Sequence, residues 1–576
     1  MRMKEQRPRL AAVAMFVLAL YGSNQATASP AMTAWSTVVN NGTLAPGSTS
    51  NEKYFSYNQP SINDQGLVVF RARARGASGS GGSGGGGGGE PLRGIFTRDM
   101  GTPGSAIQTV ASNKGAASTV PGPNNLGASY NEFPAFPRID ARSSTVAFRG
   151  QSSPVYEYQT GTDPNTGEPV TTRAGTSGVY TNPGGTLVTG ASQLGKVPGQ
   201  EHFKVPGANP DAKFDQFPGG PSVTGSTVVF KGNWSDASAG GQTGVYYRDV
   251  SANGGTAAVQ KIAASGDSFD NGRGGTSTFG STAPPSASDG RAVFTGLDNE
   301  EAPTAGGIFL SKLGAGAQQL KSLVLIGATD VGNAIASGVT TTLNRIGEAL
   351  SFDGNKVGFW GSWGSETKQV EVRCASDGNT SVLAACRNND NNGVAGDGIY
   401  TFDVPMHQGI FVVDTETGEI TLQAQTGSQF DDFLFWTFSG APDDAGSGEA
   451  DQEPPRWRSS AFAAVDDGRT LFKGRTNAGA TGLYGNFGQG LFTLLETGMD
   501  GSALDPAAAG MEITALGIER DSFRNGWIAI NASMANAEES WAGIYVAQVP
   551  EPSSYALTAV ALAGLIAARR RRRQAN

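Results

Sequence analysis

The chain has 576 residues, 83 of them Gly and 29 Pro, and only 16% are charged, a mixture rich in turn formers and poor in the residues of helical proteins. That length holds about two to four average domains or one large all-β repeat assembly. The net charge of −9 includes two basic ends, so the body between them is more acidic still and has no electrostatic grip on nucleic acid.

At the N-terminus, Arg2, Lys4, Arg7 and Arg9 precede an apolar run from Ala11 to Tyr21. Ala26-Thr27-Ala28 then offers the small residues of a signal-peptidase site. The run is too short for a comfortable membrane span and lacks matching amphipathic neighbours, so residues 1–28 read as a secretory signal peptide rather than a helix of the fold. Without that segment and the tail beyond Pro550, 33 Lys and Arg face 49 Asp and Glu, a net −16 for the exported body.

Residues 29–548 repeat a phrase: a turn with Asp, Asn or Gly, then a β-rich run ending in an aromatic. It occurs at Leu67-Val68-Val69-Phe70, Val146-Ala147-Phe148, Val228-Val229-Phe230, Ala292-Val293-Phe294, Val357-Gly358-Phe359 and Thr470-Leu471-Phe472, and with Ile at Ile528-Ala529-Ile530. A second phrase follows each: Gly94-Ile95-Phe96, Gly178-Val179-Tyr180, Gly244-Val245-Tyr246, Gly307-Ile308-Phe309, Gly398-Ile399-Tyr400, Gly482-Leu483-Tyr484 and Gly543-Ile544-Tyr545. A weaker third is a short apolar strand ending near Gly, as in Ile262-Ala263-Ala264-Ser265-Gly266. Asp-Gly before the first phrase is a hairpin-turn signal, because Gly accepts positive φ and Asp bonds its own backbone. Seven units of three or four strands suit a β-propeller, which closes radially and exposes few sheet edges. The phrase aromatics stand 64 to 113 residues apart, longer than compact blades, and the excess is expected in loops. A β-solenoid or two stacked sandwiches are the other architectures that fit. The order Asp-Gly, aromatic strand, Gly-Ile-Tyr is similar to TolB-like propeller repeats, which implies the same radial fold. The adjacent Asp289-Gly290 and Asp353-Gly354 depart from the Asp-box of sialidase propellers, a turn motif that would imply no activity.

The loops carry the candidate chemistry. Ser78 to Gly89 is nearly pure Gly and Ser, a flexible tether without the Lys or Ser/Thr register of a phosphate cradle. Cys374 and Cys386 are the only cysteines; in an exported protein they are expected to form one disulfide, and with no nearby His they make a poor zinc site. Oxygen donors at Asn388, Asp390 and Asn392, then Gly393 and Asp397, resemble the start of a calcium loop, and calcium is the one cofactor the sequence suggests. The pattern begins with Asn rather than Asp and has Ile399 where a bidentate Glu belongs, so a plain disulfide-braced turn is the competing reading. His202 and His407 fall in different units, which leaves no Ser-His-Asp relay or His-rich metal site. Asp431-Asp432, Asp443-Asp444 and Asp466-Asp467 are carboxylate pairs of a kind usual in turns. Trp360, Trp363, Trp436 and Trp457 are candidates for stacking on sugar rings, against the alternative that strand aromatics fill the core. No catalytic residue is assigned.

The C-terminus combines Val549-Pro550-Glu551-Pro552, a 14-residue apolar run from Tyr555 to Ala568, and Arg569, Arg570, Arg571, Arg572 and Arg573. A helix over that run rises about 21 Å against a hydrocarbon core of roughly 30 Å, enough for a marginal transmembrane hold with snorkelling arginines. The arginines fix its end on the cytoplasmic side and are a topology stop rather than a nucleic-acid patch. Residues 549–576 resemble the PEP-CTERM sorting signal of Gram-negative bacteria. That resemblance implies transient inner-membrane insertion, recognition by an exosortase, cleavage near Pro550-Glu551-Pro552, and delivery to the cell surface or the exopolysaccharide matrix. Signal peptidase and exosortase are thus the expected partners, with exopolysaccharide the expected ligand. A non-catalytic binding or structural role follows most directly. The alternative is a carboxylate-based hydrolase or lyase acting on matrix polysaccharide, which acidic and aromatic residues clustered at one propeller mouth would favour.

Overall fold

The computed structural model describes residues 32–47, 51–75, 90–122, 128–152, 156–174, 178–208, 212–236, 238–314, 320–375, 380–388, 394, 396–439 and 455–549. Among them the chain forms seven five-stranded antiparallel sheets, which stand as the blades of a β-propeller. Blade 1 shows the plan. Its innermost strand comes in two pieces, Lys53–Tyr57 and Ser61–Ile62, both paired to Leu67–Arg75, which pairs in turn with Leu92–Asp99 and then Gln108–Ser112. The second innermost pieces of successive blades touch in a closed ring around the axis. A solenoid or a pair of sandwiches is excluded by that closure. The seventh blade is composite: Glu512–Gly517, Phe523–Arg524, Trp527–Ala535 and Ser540–Gln548 are completed on the outside by Ser36–Asn40 from the other end of the chain. The first and last blades are thereby joined by backbone hydrogen bonds.

The repeated phrases have a packing reason. In every blade the aromatic or Ile of the first phrase lies directly opposite an aromatic of the third strand: Phe70 with Phe96, Phe148 with Tyr180, Phe230 with Tyr246, Phe294 with Phe309, Phe359 with Phe411, Phe472 with Tyr484 and Ile530 with Tyr545. Strand alternation sends neighbours the other way, so Phe70 packs towards blade 7 while Val69 packs towards blade 2. The core is accordingly seven slabs, one in each gap between blades. The Gly after the first-phrase aromatic makes room for a ring from the innermost strand. A Cβ on Gly150 would come within 2.5 Å of the Tyr130 ring, and one on Gly232 within 2.5 Å of Phe214.

Two expectations are corrected. In blade 5 the third-strand phrase is Gly409-Ile410-Phe411, not Gly398-Ile399-Tyr400; the latter opens the long strand Ile399–Asp414 that also carries the former, and Phe411 is the one that meets Phe359. Among the described residues, much of the surplus length is also strand rather than loop. Lys356–Arg373 and Ile399–Asp414 run on past the blade as an arm, and short hairpins stand at Tyr156–Thr162/Pro169–Ala174, Ser268–Asp270/Thr276–Thr278 and Phe435–Ser439/Arg456–Ser460. Trp436 stacks on Phe402 at 4.1 Å, and Trp457 meets Tyr400 at 5.3 Å, so the blade 6 hairpin braces the arm.

Candidate functional site

The axis is organised in layers, and sheet register aligns them. The innermost layer is Ser61, Arg138, Ser222, Ser286, Ser351, Ala464 and Ser522, each opposite the residue that precedes the first-phrase aromatic or Ile. All seven are buried. The serine hydroxyls stitch blades together: Ser61 donates to the Pro137 carbonyl at 3.0 Å, Ser522 to Pro60 at 2.8 Å, Ser286 to Leu350, and Ser351 accepts from the Val465 amide at 2.9 Å. The residues just before this layer are Pro60, Pro137, Pro221, Pro285, Leu350, Ala463 and Asp521.

Besides the apolar Ala464, Leu350 and Ala463, these layers hold two charged departures, Arg138 for Ser and Asp521 for Pro, and the two meet. Arg138 Nε donates to Asp521 Oδ2 at 2.5 Å, and its other nitrogens reach Pro285 O at 3.4 Å and Ser286 Oγ at 3.0 Å in blade 4. Arg524 donates to the second Asp521 oxygen and to the carbonyls of Val465 at 2.7 Å and Phe352 at 3.0 Å. Burial alone would raise the Asp521 carboxyl, but Arg138 and Arg524 hold it below the usual carboxylate range. These side chains plug the axis with a fixed charge network.

At one end of the plug lie the Asp-Gly turns. Asp289-Gly290, Asp467-Gly468 and Asn525-Gly526 hold both central residues at positive φ, the geometry of a tight hairpin turn. Each turn is caught by the preceding blade: Gly290 N–H on Thr224 Oγ1 at 3.1 Å, Asp467 N–H on Asp353 Oδ2 at 3.2 Å, and both Asn525 and Gly526 N–H on Asp466 at 2.8 Å. Asp64 sits among these carboxylates; burial, then Asp353, raises its carboxyl to about 6.

At the other end, on the side of the loops between second and third strands, a pocket of about 350 Å³ opens on the axis. Its floor is the layer Phe136, Gly220, Pro284, Ala349, Phe462 and Arg520, with Trp360 in the wall. Glu300, Glu301, Glu348, Glu519 and Arg345 supply the charge. Two carboxylates are committed: Glu519 accepts from Arg520 Nε at 2.8 Å, and Glu300 from Ser281 at 3.0 Å and Arg456 at 3.1 Å. The Glu300–Arg456 pair spans from blade 4 to the blade 6 hairpin, over blade 5. Burial would raise the Glu300 carboxyl; Lys231, Ser281 and Arg456 keep it low. Glu301 and Glu348 are exposed at the mouth. Such a pocket offers aromatic faces, free carboxylate acceptors and guanidinium donors, the means to hold a hydroxyl-rich molecule.

Of the residues singled out in the sequence, only Trp360 belongs to this pocket, and its indole N–H is spent on Gln408 Oε1 at 3.1 Å. Trp363 stacks on His407, whose Nε2 lies 3.0 Å from Glu366, and His202 packs on Phe203. The two histidines stay in separate blades. Asp431 pairs with Lys368, Asp432 caps the Leu434 amide at 2.9 Å, and Asp466 holds the blade 7 turn, so these carboxylates are structural. Cys374 and Cys386 are joined by a disulfide at the tip of the arm, closing over the helix Thr380–Asn388. Asn388 ends that helix, and Asp397 Oδ1 accepts the Ile399 amide at 2.8 Å; Asp390 and Asn392 lie outside the described residues. Ser78–Gly89 and Asp443-Asp444 lie outside them too, as do the signal segment, Pro550, Glu551, Pro552 and Arg569 to Arg573. No helix among the described residues is long and apolar enough to cross a membrane. The pocket's floor went unseen in the sequence, although Pro60-Ser61-Ile62-Asn63, Pro221-Ser222-Val223-Thr224 and Pro285-Ser286-Ala287-Ser288, each just upstream of a turn, mark the layer beneath it.

Residues 548–573 match the PEP-CTERM protein-sorting motif. No curated protein matches the chain. Among solved structures it is similar to an oligogalacturonate lyase from Vibrio parahaemolyticus, with 8% identity over 91% of this chain and 99% of that one and a TM-score of 0.34. A protein from Listeria monocytogenes EGD-e is similar at 7% identity over 76% and 82%, with a TM-score of 0.24. The catalytic domain of a GH62 α-L-arabinofuranosidase from Coprinopsis cinerea follows at 8% over 62% and 95%, with a TM-score of 0.21. No residue role is transferred from them.

Proposed function

We propose that this is an exported, exosortase-sorted protein that binds extracellular polysaccharide of a Gram-negative cell surface or matrix through the axial pocket of its propeller, without cleaving it. The observation that carries the reading is the placing of tail and pocket at opposite ends of the axis. The last strand ends at Gln548 beside the Asp-Gly turns, where the Val549 amide bonds Gly526 O at 2.8 Å, and the sorting motif begins there. A propeller held by that tail faces its pocket away from the membrane. Commitment of Glu300 and Glu519 to guanidinium partners favours binding over general-acid chemistry, which needs a carboxyl kept protonated. The test is to incubate the exported protein with the host's exopolysaccharide and measure cosedimentation and released reducing ends. Cosedimentation without release is expected; released oligosaccharide would overturn the non-catalytic reading.

A second reading, a carboxylate-based hydrolase or lyase, draws on Glu301 and Glu348, which face the same mouth. Under that reading Glu301→Gln or Glu348→Gln abolishes release while leaving cosedimentation intact.

A further inference from the structure

We infer that the axial pocket is built for a neutral pyranose sugar, received on the aromatic floor positions Phe136 and Phe462; this names the ligand class of the binding role proposed above and rests on it. Blades 2 and 3 enter the pocket with parallel segments, Phe133-Pro134-Ala135-Phe136-Pro137 and Phe217-Pro218-Gly219-Gly220-Pro221. In blade 3 both middle positions are Gly, and Gly219 adopts φ +74°. A Cβ on Gly219 would fall 2.4 Å from the Pro284 side chain, and one on Gly220 2.8 Å from the Phe136 carbonyl. Blade 2 makes the same bend with φ +69° at Ala135, a left-handed conformation that a residue with a Cβ adopts only under strain. Directly after this strained alanine stands a large aromatic, Phe136, where blade 3 has Gly220. Phe136 is half-buried, lines the pocket, and among the described residues stacks on no other ring. A core role would give it aromatic neighbours of the kind Tyr130 and Phe133 have in the same blade.

Phe462 occupies the equivalent position in blade 6, three blades away round the ring and so across the axis. It too is half-buried and lines the pocket. Its outer side is already occupied: it packs on the core between blades 6 and 7, the Phe435 ring lies 6.3 Å from it centroid to centroid, and Lys473 Nζ stands 5.8 Å from its centroid. Two aromatic residues on the floor suit a flat, amphipathic ring whose C–H face meets the phenyl groups, while its hydroxyl rim finds Glu301, Glu348 and Arg345. The fixed charges choose among saccharides. Among the described residues that line the pocket, Glu300 and Glu519 are matched by Arg456 and Arg520, and the carboxylates of Glu301 and Glu348 outnumber the Arg345 guanidinium. A uronate would bring its own carboxylate into that surplus.

The experiment is titration of the full exported chain with a panel of neutral hexose oligosaccharides and matched oligouronates, with exopolysaccharide cosedimentation run alongside. Binding of at least one neutral member is expected, weakened about tenfold or more by Phe136→Ala and by Phe462→Ala. Phe136→Trp keeps the aromatic face and retains affinity, which separates a lost contact face from a misfolded variant; near-ultraviolet circular dichroism checks each fold. Binding of uronates alone, of no panel member, or of neutral sugars with unchanged affinity in both alanine variants overturns the inference. If exopolysaccharide still sediments with wild type and both variants, the pocket assignment fails while the surface-binding role stands. If it sediments with none of them, that role fails as well.

Discussion

Arg138→Met is expected to destabilise the propeller by about 3–5 kcal/mol, the range for breaking a buried ion pair by removing one partner. The magnitude comes from where the side chain lies. Arg138 is fully buried and Asp521 is 5% exposed, so water cannot replace the lost guanidinium. The remaining partner Arg524 satisfies one carboxylate oxygen, while Oδ2 of Asp521 loses its donor. Pro285 O and Ser286 Oγ lose theirs also, which loosens blade 4 from blade 2 across the axis. Asp521→Asn should be at least as costly, because the buried Arg138 then loses its carboxylate partner and Arg524 keeps only the more distant Asp353 at 3.9 Å. The check is urea unfolding of the exported protein by tryptophan fluorescence, with the Arg138→Met/Asp521→Asn double variant completing a cycle. The double variant should cost less than the sum of the singles by about 1–3 kcal/mol. A loss under about 1 kcal/mol for Arg138→Met, or strict additivity, would refute the view that these two departures from the axial pattern exist for each other.

Asp64 has a folded-state pKa of about 6 against 3.8 for the free side chain, so its contribution to stability is present below 3.8 and lost as pH rises through 6. Asp64→Asn should therefore stabilise the protein at pH 7 by about 1–2 kcal/mol, after allowance for its partial exposure, and do nothing at pH 3.5; equal effects at both pH values would contradict this. Ala135→Gly removes a strained φ and should gain about 0.5–1 kcal/mol in the same unfolding assay; a loss would mean that the bend is not strained. Burial, then Arg475, lowers the Lys473 amine to about 8, so an acylating reagent should label it with a midpoint near pH 8, lost in Lys473→Arg; labelling only above pH 10 would refute that environment. Replacing Pro550, Glu551 and Pro552 by Ala should leave the tail attached and the protein in the membrane fraction; unchanged mass and location would end the exosortase assignment.

Much of the scaffold was legible because its cause is periodic. A residue that must face an aromatic across a hairpin recurs once per blade, as Phe70 and Phe96 do, and an Asp-Gly turn needs positive φ wherever it occurs. The innermost pieces escaped notice because they are two to four residues long, as at Ser61–Ile62 and Phe523–Arg524, too short to show a period of their own. Blade 5 was misread at Tyr400 because one long strand holds two copies of the same phrase, and only register distinguishes them. The pocket escaped for a different reason: its members, from Phe136 to Arg520, stand nearly four hundred positions apart, and only ring closure brings them together.

That same closure separates structural from functional departures along the axis. In a ring each layer is repeated seven times under nearly identical constraint, so the residue most blades share is the one the scaffold requires. Serine is that residue in the innermost layer, where its hydroxyl reaches the neighbouring blade. A departure that serves the scaffold must find a compensating departure nearby, and Arg138 finds Asp521. Phe136 stands, like Phe462 across the axis, in a floor layer that shares no one residue among the blades, and the bend before it holds Ala135 under strain. Packing does not account for that cost, since Gly makes the same bend in blade 3 without it. An aromatic held under strain at an open pocket is accounted for by what enters the pocket, and that makes Phe136 the residue whose replacement should separate ligand binding from folding.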